Sequence, residues 1–220
     1  MKKTFAVFGL GQFGLSIVEE LAKLDADVMA IDRDEEKVMQ ASKFIPSVFI
    51  ADSTNEKALK ELDLKNVDHA IIAFGNNMQS TILTTVLLVE IGVKHLTVRV
   101  DNEYYAPIIK RLGADEVISP QKMAGIGLAN RLENESFVDY YSLGENFSVV
   151  KVSIRPDFVA KPITELNARN NFGVNLILIS RKNRTFAPKA TDEIQGGDIV
   201  FVVGKTKDIE KFNRFLNNNK

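Results

Sequence analysis

The chain of 220 residues contains no cysteine and no tryptophan, and it has only two histidines. The absence of cysteine excludes disulfide bonds, thiolate catalysis and cysteine-ligated zinc, and it suits a reducing cytoplasm. The chain also has no large excess of charge of one sign. Its 28 lysines and arginines nearly balance its 29 aspartates and glutamates, which gives a net charge of −1. This balance gives no electrostatic reason to expect nucleic acid as a partner.

Long apolar runs are absent too, and no segment approaches the roughly 20 apolar residues that span a bilayer. The N-terminal segment MKKTFAVFGLG begins with lysines, as a signal peptide does. Glycines and Gln12 interrupt its apolar stretch, however, and no small-residue cleavage site follows. We therefore expect a first strand here and a cytoplasmic protein, and any role at a membrane would have to pass through a partner.

Three glycines near the head of the chain have the spacing G-x-G-x-x-G: Gly9, Gly11 and Gly14. An apolar run at 5–8 precedes them, a helical pattern follows, and a second apolar run at 28–31 leads to Asp32. This order predicts a nucleotide or dinucleotide site, in which backbone amides approach a pyrophosphate and the acid accepts ribose hydroxyls. The alternative is a tight turn that binds nothing, with Asp32 capping the helix that begins at 34–37.

Polar residues follow the next two predicted strands, at the edge where open α/β sheets bind ligands. The third strand is followed by Asp52, Ser53 and Thr54. The fourth strand ends in Phe74, Gly75, Asn76 and Asn77. The first group lies on the ligand-binding face, and Gly75, Asn76 and Asn77 could flank an adenine or a ribose. Equally, Ser53 or Thr54 could cap the next helix, and the glycine and asparagines could form the turn into the helix after that.

Two arginines belong to the same candidate site. Arg33 follows the acid, where an arginine sometimes signals a ribose phosphate but is more often solvent-exposed. Arg99 lies inside the fifth predicted strand, where a charge is costly unless it is paired or faces a ligand. The predicted nucleotide site comprises Gly9, Gly11, Gln12, Phe13, Gly14, Asp32, Arg33, Asp52, Ser53, Phe74, Gly75, Asn76 and Arg99.

Six predicted strands alternate with helices over the first 120 residues, at 5–8, 28–31, 48–51, 69–74, 95–100 and 116–118. Such alternation requires right-handed crossovers, and it predicts an α/β fold with a Rossmann-like, doubly wound parallel sheet. The following helix, 121–133, is partly apolar but has no strand left to cover. We expect it to pack on a second copy of the chain; the alternative is a helix that folds back on its own sheet.

The pattern changes near residues 134–136, which divides the chain into domains 1–134 and 135–220. Extended segments at 137–143, 147–155, 174–181 and 199–203, with short helices at 163–170 and 208–216, predict a small α+β domain. Part of it offers apolar walls beside amides and one cation: Ile163, Leu166, Asn167, Ala168, Arg169, Asn175, Ile177 and Pro188. Such a groove suits a flat base with a phosphate, but the residues alone favour a domain core with a surface arginine.

Catalytic residues are missing from the predicted ligand edge. His69 and His95 stand at the amino ends of their strands, opposite that edge. A Tyr-x-x-x-Lys dyad, a P-loop, H-E-x-x-H and G-x-S-x-G are also absent. We expect a protein that senses a nucleotide and is not an enzyme. The alternative is an NAD(H)-dependent oxidoreductase or an NADH-sensing redox regulator.

The segments FAVFGLGQFG at 5–14, AID at 30–32 and ADST at 51–54, with six alternating strands, resemble the RCK, or KTN, nucleotide-binding domain of potassium transport regulators. The segments ITELNARNNFGVNLILISR and GGDIVFVVG resemble the C-terminal subdomain of that family. The resemblance covers nearly the whole chain. One copy of each domain without a membrane segment is most similar to the cytosolic KtrA-type subunits of bacterial Ktr systems.

This resemblance implies a homo-octameric ring beneath a membrane-embedded, KtrB-like potassium translocator, reshaped when ATP replaces ADP. It implies that the three glycines and Arg99 face phosphates, Asp32 the ribose, and Asp52 and Ser53 the adenine. Relatives also bind cyclic di-AMP at a dimer interface, which implies a second site formed by Ile163, Asn167, Ala168, Arg169, Asn175, Ile177 and Pro188.

Two positions depart from the family pattern. Many relatives carry arginine in the glycine loop, as G-L-G-R-F-G, where this chain has Gln12. The expected preference for ATP over ADP is therefore weaker. Relatives can also place a glutamate, near a divalent cation, where Gln121 stands here, and an amide is a poorer ligand for a hard cation. We therefore assign no metal ligand and leave divalent-cation binding open.

Overall fold

The computed structural model describes residues 2–75, 77–144, 146–182 and 184–217. The chain divides between Gln121 and Lys122 into two compact units. No helix among the described residues is both long and apolar enough to cross a membrane.

The first unit alternates strands and helices. Its strands are β1 (Thr4–Phe8), β2 (Asp27–Asp32), β3 (Val48–Ile50), β4 (His69–Ile72), β5 (Leu96–Arg99) and β6 (Glu116–Ile118). Its helices are α1 (Gln12–Lys23), α2 (Glu35–Ala41), α3 (Glu56–Lys60), α4 (Met78–Ile91) and α5 (Ala106–Arg111), with 3₁₀ turns at Leu64–Asn66 and Glu103–Tyr105. The six predicted strands agree with these bounds to within two residues at each end.

The six strands form one parallel sheet in the order β3-β2-β1-β4-β5-β6. Strand β1 is central and apolar because both of its faces are covered: Ala6 and Phe8 belong to one hydrophobic core and Val7 to the other. The prediction of a doubly wound α/β fold is confirmed. The strand order reverses between β1 and β4, the place where such sheets bind ligands.

Helix α6 (Pro120–Glu133) runs across the division, and the second unit follows. Its strands are β7 (Phe137–Ser142), β8 (Phe147–Ser153), β9 (Lys161–Pro162), β10 (Val174–Arg181), β11 (Arg184–Phe186), β12 (Glu193–Ile194) and β13 (Ile199–Lys205). Its helices are α7 (Ile163–Leu166), α8 (Ala168–Phe172) and α9 (Thr206–Asn217). An antiparallel sheet, β11-β10-β13-β8-β7, and α9 enclose a core that includes Val150, Val200 and Phe212. The α+β prediction is confirmed.

The prediction of one helix at 163–170 is wrong in detail, because this segment forms two short helices, α7 and α8. Asn167 separates them with a φ of 40°, the left-handed conformation that asparagine tolerates better than most residues. The sequence analysis also missed the two-stranded ribbon of β9 and β12, whose strands have only two residues each.

The contacts group most of α6 with the second unit, whereas the sequence analysis assigned this helix to the first domain. The domain bounds 1–134 and 135–220 stay a prediction, because grouping by contacts does not locate a functional boundary. Every residue of α6 is exposed or half-buried in the single chain.

Candidate functional site

A cavity of about 300 Å³ opens at the carboxyl ends of the parallel strands, where the strand order reverses. Its lining includes loop glycines, two acids and three cations, together with hydroxyl, amide and apolar residues. The lining residues are Gly9, Gly11, Ile31, Asp32, Arg33, Lys37, Ala51, Asp52, Ser53, Thr54, Ala73, Phe74, Gly75, Asn77, Ser80 and Arg99. Nine of the thirteen residues predicted for the nucleotide site are among them. Their role in binding stays a prediction.

The structure requires two of the three glycines in the loop after β1, each for a different reason. Gly9 has a φ of +90°, and a Cβ there would lie 2.7 Å from Phe74 Cδ1. A Cβ on Gly14 would lie 1.9 Å from the Gly9 carbonyl oxygen, so this glycine lets α1 pack against the loop. At Gly11, in contrast, no described atom lies within 4 Å of a built Cβ. The fold of the chain itself does not require glycine at this position.

Gly11 is also the N-cap of α1, and no side chain of the described residues caps this helix end. The first amides of a helix lack partners within the helix and attract anions. A phosphate could therefore approach the open side of Gly11 and accept bonds from these amides.

The Asp32 carboxylate, at the end of β2, accepts two backbone hydrogen bonds. Its Oδ2 accepts from the Leu10 amide at 2.6 Å and its Oδ1 from the Asp34 amide at 3.0 Å. Asp34, not Asp32, caps α2 by accepting from the Glu36 amide at 3.1 Å. The alternative that Asp32 serves as the helix cap is therefore wrong.

The loop after β3 lines the adjacent wall of the cavity. Asp52 Oδ1 accepts from the hydroxyl and the amide of Thr54, and these bonds, with a smaller effect of Arg33, lower the pKa of Asp52 below its usual value. The Ser53 hydroxyl lies 3.0 Å from Thr84 Oγ1. The cap of α3 is Asn55, so the expectation that Ser53 or Thr54 caps it is wrong.

Three cations line the cavity. Arg33 is exposed, and Lys37 pairs with Asp34 at 3.4 Å. Arg99 is held by Asp101 and by the Ala73 carbonyl oxygen. The sequence analysis missed Lys37, although a lysine in the first helical turn after Asp32 could have indicated it. It also left out Ser80, and it gave Thr54 and Asn77 two possible roles each without including them in the predicted set. Asn77 both lines the cavity and caps α4.

Three of the predicted residues that the structure describes are not part of the lining. Gln12 is exposed on α1, Phe13 packs on the core and Gly14 is buried. Asn76 lies outside the described residues.

The residues predicted for the second site are divided between core and surface. Ile163 and Ala168 pack against the core of the second unit, and Pro188 is half-buried. Asn167, Arg169, Asn175 and Ile177 are exposed. Ile177 falls in an irregularity of β10, where the register with β13 shifts between Leu176 and Leu178.

Neither histidine lines the cavity. His69 begins β4 and His95 precedes β5, so both stand at the amino ends of strands, as expected. Their rings lie 5.0 Å apart, His69 Nε2 is 2.8 Å from Thr97 Oγ1, and His95 Nδ1 is 3.2 Å from Asp115. The described residues contain no group of three or more histidine, aspartate or glutamate side chains that could hold a metal ion.

Comparison with known proteins extends over nearly the whole chain. The TrkA-N domain family matches residues 5–120, and the TrkA-C domain family matches residues 149–217. The chain is 38% identical to Ktr system potassium uptake protein C of Bacillus subtilis (strain 168), covering 97% of each chain. It is 34% identical to Ktr system potassium uptake protein A of the same strain, covering 96% of this chain and 95% of that protein.

A solved structure, the RCK domain of GsuK, has a similar fold, with a TM-score of 0.67 and 12% identity. The match covers all of this chain but only 49% of that one, and at this identity the likeness concerns the fold alone. The family resemblance found in the sequence is confirmed by the Ktr proteins, which match over almost their full length. The chain belongs to the TrkA-N and TrkA-C domain family of potassium uptake proteins, which includes the Ktr system proteins.

Proposed function

We propose that this protein is the regulatory subunit of a potassium uptake system and that it binds ATP and ADP in the cavity of the first unit. The observation that carries the proposal is Gly11, whose open side faces a cavity lined by cations and whose helix end has no side-chain cap among the described residues. A nucleotide phosphate fits this arrangement, since the helix N-terminus and nearby cations favour negative charge. Asp32 would accept the ribose hydroxyls.

The test is a calorimetric titration of the full chain with ATP and with ADP. We expect the wild-type protein to bind both. In Gly11→Ala the new methyl group obstructs the phosphate, and affinity falls about tenfold or more, which corresponds to about 1.4 kcal/mol. Gly125→Ala is the matched control, since a Cβ built there also meets no described atom within 4 Å. Equal affinities in all three proteins would count against the proposal.

The protein acts as a sensor and not as an enzyme. The described lining of the cavity contains no histidine, and His69 and His95 lie at the opposite ends of their strands. A bound nucleotide shifts a conformational equilibrium only if it binds one state better than the other. The third phosphate of ATP supplies such a difference.

Through this binding the protein would control a membrane potassium translocator of the KtrB type, as part of a ring of eight subunits, the number that the family resemblance implies. The subunit would lie on the inner face of the membrane, held there by that partner. Helix α6 supports self-association, because Met123 and Leu132 are 68% and 73% exposed in the single chain.

Cyclic di-AMP is the proposed ligand of the second unit. Exposed Arg169, Asn175 and Ile177 offer a cation, an amide and an apolar surface that suit a base and its phosphate. Labelled cyclic di-AMP should be retained by the wild-type chain and lost by Arg169→Ala. Arg214→Ala on α9 is the control, since Arg214 is an exposed arginine outside the predicted set. Retention by Arg169→Ala would contradict this assignment.

A further inference from the structure

Thr84 connects one wall of the cavity to a separate helix. Its side chain is fully buried on α4 and is not part of the cavity lining. Its Oγ1 donates a hydrogen bond to the Ser53 carbonyl oxygen at 3.2 Å and lies 3.0 Å from Ser53 Oγ. Since Thr84 gives its single hydroxyl proton to the carbonyl oxygen, the Ser53 hydroxyl is the donor in the second contact. One hydroxyl group therefore satisfies both the carbonyl oxygen and the side chain of Ser53.

The loop that Thr84 holds contributes Asp52, Ser53 and Thr54 to the cavity lining. Within this loop, Asp52 Oδ1 accepts from the amide and the hydroxyl of Thr54, and the Asp52 carbonyl oxygen accepts from the Asn55 amide at 3.0 Å. These bonds fix the shape of the loop but not its place in the molecule. Among the described residues, the hydrogen bonds that tie 52–54 to a separate element all run to Thr84. The position of this wall relative to α4 therefore depends on one buried hydroxyl group.

The beginning of α4 lines the cavity as well. Asn77, the N-cap of this helix, and Ser80 are both part of the lining. Ser80 precedes Thr84 by four residues, so the two side chains lie on the same side of the helix, one turn apart. The contact between Ser53 and Thr84 thus joins two walls of the cavity, the loop after β3 and the first turns of α4.

We propose that Thr84 is a positioning residue, whose hydroxyl group holds the loop after β3 where it binds the nucleotide, without touching the ligand itself. The inference rests on the proposed function, since it concerns the affinity of the same cavity. In the sheet order β3-β2-β1, this loop stands two strands from the glycine loop, about 10 Å away. Because the glycine loop takes the phosphates, the loop after β3 takes the nucleoside. Loss of its anchor therefore weakens ATP and ADP by the same factor.

The test is a calorimetric titration of the full chain with ATP and with ADP. Thr84→Val keeps the shape of the side chain but removes the hydroxyl group, and the affinity for both ligands should fall about tenfold. Thr84→Ser keeps the hydroxyl group and should bind nearly as tightly as the wild-type protein. Thr85→Val is the matched control, because Thr85 is also fully buried on α4 but donates to the Thr81 carbonyl oxygen of the same helix. It should leave both affinities unchanged.

Hydrogen exchange of the nucleotide-free chain gives a readout that a general loss of stability would not give. In Thr84→Val the amides of Thr54 and Asn55 should exchange faster, while the amides of β1 and β4 keep their wild-type protection. Ser53→Ala removes the hydroxyl contact from the other side and should show the same local change to a smaller degree. It carries the test if thermal unfolding shows that Thr84→Val does not fold.

The outcomes separate this inference from the proposed function. If the wild-type protein binds nucleotide, three results would each overturn the role of Thr84 alone: wild-type affinity in Thr84→Val, an equal loss of affinity in Thr85→Val, or unchanged exchange of the loop amides in both the Thr84 and the Ser53 variants. A loss confined to ATP would contradict the placement of the loop at the nucleoside. Failure of the wild-type protein to bind ATP or ADP would overturn the proposed function, and the inference with it.

Discussion

Asp32 Oδ2 accepts a hydrogen bond from the Leu10 amide at 2.6 Å, so the acid at the end of β2 holds the glycine loop that follows β1. Its second oxygen accepts from the Asp34 amide at 3.0 Å. The carboxylate therefore has a structural task before any nucleotide arrives. Each oxygen has a further lone pair, so the ribose hydroxyls can still be accepted.

Replacement of Asp32 should reduce both stability and binding. Asp32→Ala removes two hydrogen bonds to a charged acceptor, and we expect the free energy of unfolding in urea to fall by about 2 kcal/mol. ATP affinity should fall as well. Asp34→Ala removes the cap of α2 and the exposed ion pair with Lys37, and it should cost about 1 kcal/mol without weakening ATP binding, because Lys37 keeps its charge. An Asp32→Ala protein with wild-type stability would show that these contacts contribute little.

Gly14 is required by packing, in contrast to Gly11. A Cβ at Gly14 would lie 1.9 Å from a backbone oxygen, so Gly14→Ala must displace α1 or the loop, at a cost of about 3 kcal/mol. Gly11→Ala should unfold at the same urea concentration as the wild-type protein. Comparable destabilisation by both substitutions would mean that the open space at Gly11 is not a feature of the folded chain.

In the second unit, Arg181 and the fully buried Asp198 form a bidentate pair with two distances of 2.7 Å. Asp198 also accepts from the Gln195 amide. Asp198→Ala should destabilise the protein by about 3 kcal/mol in urea unfolding, because a buried network loses its acceptor. Lys151→Ala, which breaks the more exposed pair with Asp139 at 3.4 Å, should cost less than about 1 kcal/mol. An equal loss of unfolding free energy in the two variants would contradict the view that burial makes the Arg181–Asp198 pair the more important one.

The strands and the glycine loop could be predicted because their signals are local: apolar runs of strand length, and glycines that include the two required by the turn and by helix packing, Gly9 and Gly14. The contacts between distant residues could not. The link from Ser53 to Thr84, the contacts of Arg99 with Asp101 and Ala73, and the position of Lys37 all depend on how separate elements pack. Short elements also escaped detection, since a break at one left-handed residue, Asn167, is not visible in hydrophobic periodicity.

His69 should make the stability of the protein depend on pH. Burial lowers the pKa of His69 below its usual value of 6.5, and His95 adds to this effect, while Glu116 and Asp115 oppose it. The unfolded chain therefore takes up a proton more readily than the folded one. Stability is complete above about pH 7 and falls as the pH drops through 6.5 towards the lower pKa of the folded state.

Urea unfolding at about pH 7.5 and about pH 5.5 measures this dependence. His69→Gln does not titrate and can retain a hydrogen bond to Thr97, so it should lose less stability than the wild-type protein between the two values. An identical loss in both proteins would assign the pH dependence to other groups.

Helix α6 provides the prediction on assembly. Met123 and Leu132 are exposed in the single chain, so a glutamate at either position should leave the fold of one subunit intact. In an apolar contact between two copies, the same glutamate would be buried without a partner, which is strongly unfavourable. Leu132→Glu should therefore lower the mass of the assembled particle in native mass spectrometry. Leu24→Glu is the matched control, since Leu24 is 75% exposed at the end of α1 and should not affect assembly. If Leu132→Glu retains the wild-type mass, Leu132 does not form an apolar contact between copies, because a carboxylate buried there without a partner would weaken that contact.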